Sequence, residues 1–528
     1  MIYLKFKEEI VETEKIHKSK FEDQIKEHQE RTEKAMQMGG KRKLDALREK
    51  GILNARERIN YLFDPGTFTE SGLYATSFRR EKRESSPADG KIAGFGNIEG
   101  RKASVIANDF TVMGASSSKT NSRKVSHIKE VSKTRGIPIV FLGESTGARM
   151  PDVMGAESMG GASSPTQYKR MREAPWASAV LGNCFGSSAW YASMSDFNVM
   201  KKGAIMAVSS PRLASLATRE EVDPETLGGW KMHSEITGMA DVVVDTDEEA
   251  IEAVKRFLSY LPSNHNELPP VAKVPEGSEE ASEKILDLIP ESKKSIYDVR
   301  KVIKSVVDAD SYFELKPKFG KTMVTALSRL NGQSVGIIAN NPLMKGGAID
   351  ADACDKVVSF LVLCDSYNIP LVFLVDQPGF LIGIEAEKKR MPGKVMNWMN
   401  AISLCTVPKI SIILRKSYGQ AFLNMGGGGN AHEVAAWWTG DISFMDPASA
   451  VGVVYGINEK EEPEKFQEKL NEMKKDTSAY DMAAVYGAQA VIDPRETRNY
   501  LIEMLEIHKL RLSNGIGEHL MRTWPTNY

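Results

Sequence analysis

The sequence predicts an α/β fold built as two tandem copies, and three observations predict it. Two segments recur at one fixed offset. Short apolar strands alternate with helix-length segments in each half. Small-residue turns close those strands, again in both halves. A fixed period marks a duplicated unit. Strand–helix alternation argues for parallel strands joined by crossover helices.

At 528 residues the chain is too long for one core. Residues 1–50 are dense in Lys, Glu, Gln and Arg with apolar residues at helical intervals, so they read as one or two solvated helices, a surface arm or oligomer contact. Pro65-Gly66 marks a turn before the first strands. GRKASVIAN, ending at Asn108, then lies over GQSVGIIAN, ending at Asn340, an offset of 232 (340 − 108). GIPIVFL at 136–142 lies over NIPLVFL at 368–374 with the same offset. The turns that follow also align, Glu144-Ser145-Thr146-Gly147 over Asp376-Gln377-Pro378-Gly379. Phe185-Gly186 and Tyr418-Gly419 add a third pair at an offset of 233. SRKVSHIKEVSKTRG and DACDKVVSFLVLCDSYN supply the helices ahead of the paired strands. Residues 261–281 are rich in Pro, Ser, Asn and Glu and mark the join. The expected division is a first domain 1–262 with its helical arm, a linker 263–283 and a second domain 284–528.

Bulk properties exclude several classes. A formal net charge of −1 gives no global field for nucleic acid or an acidic membrane. There is no apolar run of membrane-spanning length, and the charged N-terminus lacks the apolar core of a signal peptide. Cys184, Cys354, Cys364 and Cys405 are scattered without CxxC or Cys/His clusters. No disulfide framework or metal site is expected, and a reducing cytoplasm fits.

A glycine turn at a strand end can be purely geometric. It can also aim backbone N–H groups at one oxygen and stabilise charge developing there. Four such turns, two per copy, favour the second reading. The GxxxxGK[ST] phosphate loop and HExxH are missing. His233 and His432 read as structural histidines. Asp109, Glu144, Asp196 and Asp376 read as caps. The glycine run Asn424–Asn430 reads as a flexible loop beside a ligand. A site of backbone donors suits a reaction passing through an enolate.

The chain resembles the carboxyltransferase β subunits of biotin-dependent acyl-CoA carboxylases, the group that includes propionyl-CoA carboxylase and the central subunit of transcarboxylase. NARERINYLFDPGTF (54–68), ADGKIAGFGNIEGR (88–101), NDFTVMGAS (108–116), LGGWKMHSEITGMAD (227–241), NNPLMKGGAID (340–350), DQPGFLIG (376–383) and TVPKISIILRKSYGQAF (406–422) carry the resemblance over nearly the whole chain. It implies two fused crotonase-like (ClpP/crotonase) β-β-α superhelix domains. An acyl-CoA thioester would be held by the first and biotin, on a separate carrier protein, by the second domain of a neighbouring subunit. Active sites would lie at dimer interfaces of a homohexamer. Gly186 and Ser187 would form the oxyanion hole for the thioester carbonyl; Gln420 and Ala421, after Gly419, would hold the biotin ureido oxygen. Ser145, Thr146, Gly147, Ala148, Arg149 and Ala115 would line the CoA side, and Gly379, Phe380 and Leu423 the biotin side. With no Ala-Met-Lys-Met biotin-attachment stretch and no ATP loop, the chain would need a biotin carboxyl carrier protein and a biotin carboxylase subunit as partners.

Three turns depart from the family pattern. Ser-Gly-Gly-Ala-Arg becomes Ser145-Thr146-Gly147-Ala148-Arg149, Ala-Gly-Gly-Ala becomes Phe185-Gly186-Ser187-Ser188, and Tyr-Gly-Gly-Ala becomes Tyr418-Gly419-Gln420-Ala421. Each keeps its backbone N–H and adds a side chain. Leu423 stands where many acetyl- and propionyl-CoA enzymes carry Asp and transcarboxylase-like members carry Leu. With Trp190, Tyr191, Trp437 and Trp438 nearby, the acyl group is expected to be branched, aromatic or already carboxylated, unless these aromatics pack the core. Two alternatives remain: a decarboxylase running the reverse half-reaction, and a non-catalytic CoA-binding scaffold.

Overall fold

The computed structural model describes residues 20–156 and 168–525. The chain divides into two compact units, Met1–Leu258 and Ser259–Tyr528. The described part of the N-terminal arm holds helices Glu22–Met36 and Lys41–Arg48, mostly exposed; residues 1–19 of the expected arm lie outside the described residues.

The first unit is built on strands β1 (Thr69–Glu70), β2 (Lys91–Ile98), β3 (Arg101–Asn108), β4 (Ile139–Ser145), β5 (Trp176–Phe185), β6 (Phe197–Lys201), β7 (Ile205–Ala207) and β8 (Val242–Val244). Their order is β1-β2-β3-β4-β5-β6-β8, with β7 beside the end of β5. The strands from β3 onward pair in parallel, as expected; β1, β2 and β3 pair antiparallel. The reason lies in Glu99 and Gly100, whose φ values of 50° and 78° make the two-residue turn that suits the twist of a hairpin. Helix α1 (Lys119–Arg135) crosses from β3 to β4. It starts at a capping box of Ser118 with Asn121 and stops at Gly136 in the left-handed region. Val125 and Ile128 on its inner face bury against Ile106, Phe141 and Trp176. A short helix α2 (Ser187–Ser193) follows β5.

The second unit repeats this plan with β9 (Phe313–Leu315), β10 (Met323–Leu330), β11 (Gln333–Asn340), β12 (Leu371–Gln377), β13 (Lys409–Tyr418), β14 (Glu433–Trp437), β15 (Asp441–Ser443) and β16 (Ala490–Ile492). Their order mirrors the first sheet element for element. The bounds of β10, β11 and β12 equal those of β2, β3 and β4 plus 232, and β13 equals β5 plus 233. Asn331 and Gly332, φ 50° and 77°, form the matching hairpin turn. Helix α3 (Ala351–Ser366), capped by Asp350, is the counterpart of α1. Every residue of β12 is buried, which explains its unbroken apolar run Leu371–Val375: a parallel strand covered on both faces has no polar side to show.

Burial even includes a duplicated cation. Lys124 on α1 gives its ammonium to the carbonyls of Gly72, Ala88 and Lys91. Lys356 on α3, 232 residues on, gives its own to Lys316, Phe319 and Met323. Loss of water pushes the first ammonium down to about 8 and the second to about 7.

Segment 263–283 belongs to the second unit and is tied to it. The N–H of Ala272 donates to Gly332 O at 2.9 Å, and Asn368 holds the carbonyls of His265 and Glu267, both at 2.8 Å. No helix among the described residues is long and apolar enough to cross a membrane.

Candidate active site

The site in the first unit is assembled by backbone bonds between segments that are distant in sequence. The chain leaves β3 through Met113, Gly114 and Ala115, all with positive φ. The turn after β4 then docks on it. Thr146 N–H donates to Gly114 O at 2.9 Å, Ser117 N–H to Gly147 O at 2.8 Å, and Arg149 N–H to Ser117 O at 2.9 Å. Ser145 fastens the base: its hydroxyl donates to Ala115 O at 3.0 Å and accepts the Gly147 N–H at 3.1 Å. Gly147 has φ 98°, outside the comfortable range of other residues.

The next turn, after β5, faces this one. A first side-chain carbon on Gly186 would lie 3.7 Å from Gly147 Cα. Gly186 adopts φ 60°, ψ −130°, and its own N–H is given to Val208 O at 3.2 Å. Gly186, expected as a donor, therefore shapes the turn, and the available amides are those of Ser187 and Ser188. Among the described residues none accepts a bond from either. The Ser188 hydroxyl points inward to Asn108 Nδ2 at 3.2 Å, while the Ser187 hydroxyl meets Ser117 Oγ at 2.8 Å.

The second unit reproduces the arrangement. Ile349 N–H donates to Gly379 O at 3.0 Å and Leu381 N–H to Ile349 O at 2.8 Å, the same two bonds as Ser117 makes, 232 residues later. Phe380 bridges Ile349 as Ala148 bridges Ser117. Gly419, φ 67°, gives its N–H to Ser443 O at 3.0 Å, and the amides of Gln420 and Ala421 meet no acceptor among the described residues. Helix α4 (Met391–Leu404) and helix α5 (Ala421–Asn424) support this turn. Gln377 Nε2, fully buried, donates to Tyr418 O at 3.0 Å and so locks the two turns of this unit together. A side chain at Gly379 would meet nothing within 4 Å, so open space lies in front of that turn.

Several expected residues act differently. Arg149 turns its guanidinium inward, to Asp89 at 2.6 Å and to Ser116, because a fully buried carboxylate needs a cation. Only its backbone belongs to the turn surface. Ala115 is fully buried and contributes its carbonyl, the acceptor for Ser145. Thr146, exposed, rests its side chain on Gly114, where only a glycine leaves room: a carbon there would come within 2.6 Å. Leu423 underlies the glycine run, 2.4 Å from where a Gly428 side chain would start, and Gly427 lies on the Phe422 ring. Gly426 and Gly427 are buried while Gly428 and Gly429 are exposed, so the first half of that run is packed against the turn.

The histidines are structural, as expected. His233 bonds Met206 O at 2.7 Å and Thr237 Oγ1 at 3.0 Å, and burial pushes its imidazole down. His432 Nδ1 accepts the Lys409 N–H at 3.0 Å. The acids expected as caps divide. Asp109 receives the Thr111 N–H, whereas Glu144, Asp196 and Asp376 pair with Arg58, Arg170 and Arg415. Tyr191 and Trp437 pack in the cores; Trp190 and Trp438 are 45% and 44% exposed. Ser117, Asp89 and Gln377 escape sequence reasoning, because each acts on a residue tens of positions away. Among the described residues no cluster of three metal-ligating side chains occurs.

Residues 46–514 match the family model described as carboxyl transferase domain. The propionyl-CoA carboxylase carboxyltransferase subunit of Haloferax mediterranei is 33% identical, over 92% of this chain and 96% of that relative. The methylmalonyl-CoA decarboxylase subunit alpha of Veillonella parvula is 32% identical, over 88% and 92%. Among solved structures, the transcarboxylase 12S hexamer with methylmalonyl-coenzyme A bound superposes with a TM-score of 0.85 at 33% identity, over 93% of this chain and 97% of that one. The likeness extends the crotonase-like fold to both sheets.

Proposed function

Because this chain belongs to the carboxyl transferase domain family and is a carboxyltransferase, we propose that it moves carbon dioxide from carboxybiotin, borne by a separate carrier protein, to the α or vinylogous carbon of an acyl-CoA. The observation that carries this reading is the pair of matching turns, each with amides that meet no acceptor among the described residues, backed by the same two backbone bonds.

The first unit takes the thioester. The amides at Ser187 and Ser188 hold its carbonyl oxygen, Gly186 gives the turn its shape, and Ser145–Arg149 with Ala115 form the wall of the CoA side. As the α C–H bond breaks, the thioester becomes an enolate and its oxygen gains charge. Donors fixed beforehand favour that state without reorganising; each is worth about 2.7–4 kcal/mol. The second unit fits biotin: open space fronts Gly379, and the Gln420 and Ala421 amides suit a ureido oxygen that grows more negative. Phe380 and Leu423 complete that side. Bound there, carboxybiotin supplies carbon dioxide as its N–C bond breaks, and a ring nitrogen that accepts the α proton.

The assembly proposed is a homohexamer with sites at dimer interfaces, working in the cytoplasm with a biotin carboxyl carrier protein and a biotin carboxylase. The transcarboxylase 12S neighbour is a hexamer, which supports this. The reverse direction is a second reading, favoured by the relative named as a decarboxylase subunit. A non-catalytic scaffold is set aside, since the chain belongs to a family of enzymes. The test is to supply carrier, carboxylase, ATP and labelled bicarbonate with a panel of acyl-CoAs. Label is expected in at least one product; label in none of them refutes the reading.

A further inference from the structure

We propose that the Ser187 hydroxyl, oriented by Ser117, is a third hydrogen-bond donor to the thioester oxygen, which makes Ser187 a catalytic residue and Ser117 a positioning residue. The inference rests on the acyl-CoA reading of the first unit.

The two hydroxyl oxygens lie 2.8 Å apart, both half-buried. Two hydroxyls bring two protons; with Ser117 donating to Ser187 Oγ, the Ser187 proton remains to be donated to the ligand. Ser117 is fixed by its backbone, whose N–H and carbonyl are both bonded into the Gly147 turn at 2.8 and 2.9 Å. Its hydroxyl is therefore a stationary partner that sets the rotamer of Ser187. The neighbouring hydroxyl of Ser188, which accepts from Asn108 Nδ2, is only 1% exposed, so it does not compete. Ser187 carries its amide and hydroxyl three bonds apart, close enough for both to reach one oxygen at about 2.7–3.0 Å. The second unit holds Ile349 and Gln420 at these positions and has no such pair. The device is thus confined to the turn where an enolate would form. Because charge on that oxygen grows along the reaction, an O–H donor favours the transition state over the bound thioester.

The test compares Ser187→Ala, Ser187→Gly, Ser117→Ala and Ser117→Thr with the parent chain. Losing one oxyanion donor costs about 10²–10³ in kcat where it is dominant; with two amides left, Ser187→Ala and Ser187→Gly should lose about 10- to 100-fold in kcat with KM for acyl-CoA within about twofold. Ser117→Ala should lose less, and Ser117→Thr, which keeps a hydroxyl, should restore the rate. The second readout is the infrared carbonyl band of propionyl-CoA or methylmalonyl-CoA labelled with carbon-13 at the thioester carbon. It should fall in frequency on binding to the parent chain, fall less with Ser187→Ala, and return with Ser117→Thr. Equal bands in the parent chain and Ser187→Ala, both loaded with ligand, overturn the inference and leave the acyl-CoA reading intact. A band unmoved by the parent chain, or no binding of either thioester, overturns both.

Discussion

In the first unit the turn after β4 is held by charge, Arg149 reaching Asp89 through the interior. In the second, the same positions are Leu381 and Lys321, and no such pair exists there; Gln377 ties turn to turn through Tyr418 O instead. The backbone bonds around Gly147 and Gly379 are nonetheless the same. The difference teaches that the main-chain geometry of this turn survives a change in the side chains that fasten it. Such a site can exchange the fastener used by its twin and still present amides in one place.

Four experiments break or sharpen this comparison, in order of expected effect. Arg149→Leu, which writes the second unit's residue into the first, leaves Asp89 buried and unpaired; urea unfolding should show a loss of about 3–5 kcal/mol, against about 0.5 kcal/mol or less for Leu381→Arg. If the two changes cost the same, charge is not what distinguishes the copies. Ser187→Pro and Gln420→Pro each delete one available amide at the start of a short helix, the first together with the Ser187 hydroxyl; Gln420 already has φ −65°. Each should cut turnover about 10²–10³-fold with circular dichroism unchanged. Loss in only one would mean that only one turn serves an oxyanion. Gly114→Ala and Gly346→Ala share the left-handed strain of about 1–2 kcal/mol, but only the first also strikes Thr146. Its melting temperature should drop further, and Thr146→Gly should recover the excess.

The smallest effect near neutral pH is that of the paired lysines, read as a pH dependence of stability. Both ammoniums lie below the unfolded value of about 10.4, so over the interval the unfolded chain holds a proton that the folded chain has released. Stability therefore rises with pH, from about 7 upward for Lys356 and from about 8 for Lys124. Replacing each by Met should flatten its own segment of the stability–pH curve, the second unit's beginning at the lower pH.

The duplication was legible because strands and glycines announce themselves locally. The apolar runs, the shared Asn108 and Asn340, and the turns at Gly147 and Gly379 all lie within short windows. The hairpin turns Glu99-Gly100 and Asn331-Gly332 are equally local. What stayed hidden depends on distance. Asp89 and Arg149 are 60 residues apart, and nothing near either one names the other. The aromatic pairs show the limit at its smallest scale. Neighbours on a helix point to different sides, so Tyr191 is core while Trp190 faces outward, and Trp437 ends a buried strand while Trp438 lies in the turn beyond it.

The two-residue hairpins have a consequence for synthesis. Each joins its strands with no long connection to close, so it can form as soon as it leaves the ribosome, whereas the parallel strands must wait for their crossovers. At about 5–20 residues per second, the first ribbon emerges roughly 12–46 s ahead of the second, 232 residues behind it. That head start lets the leading copy settle before its near-twin exists, and so guards a repeated sequence against swapping strands with itself.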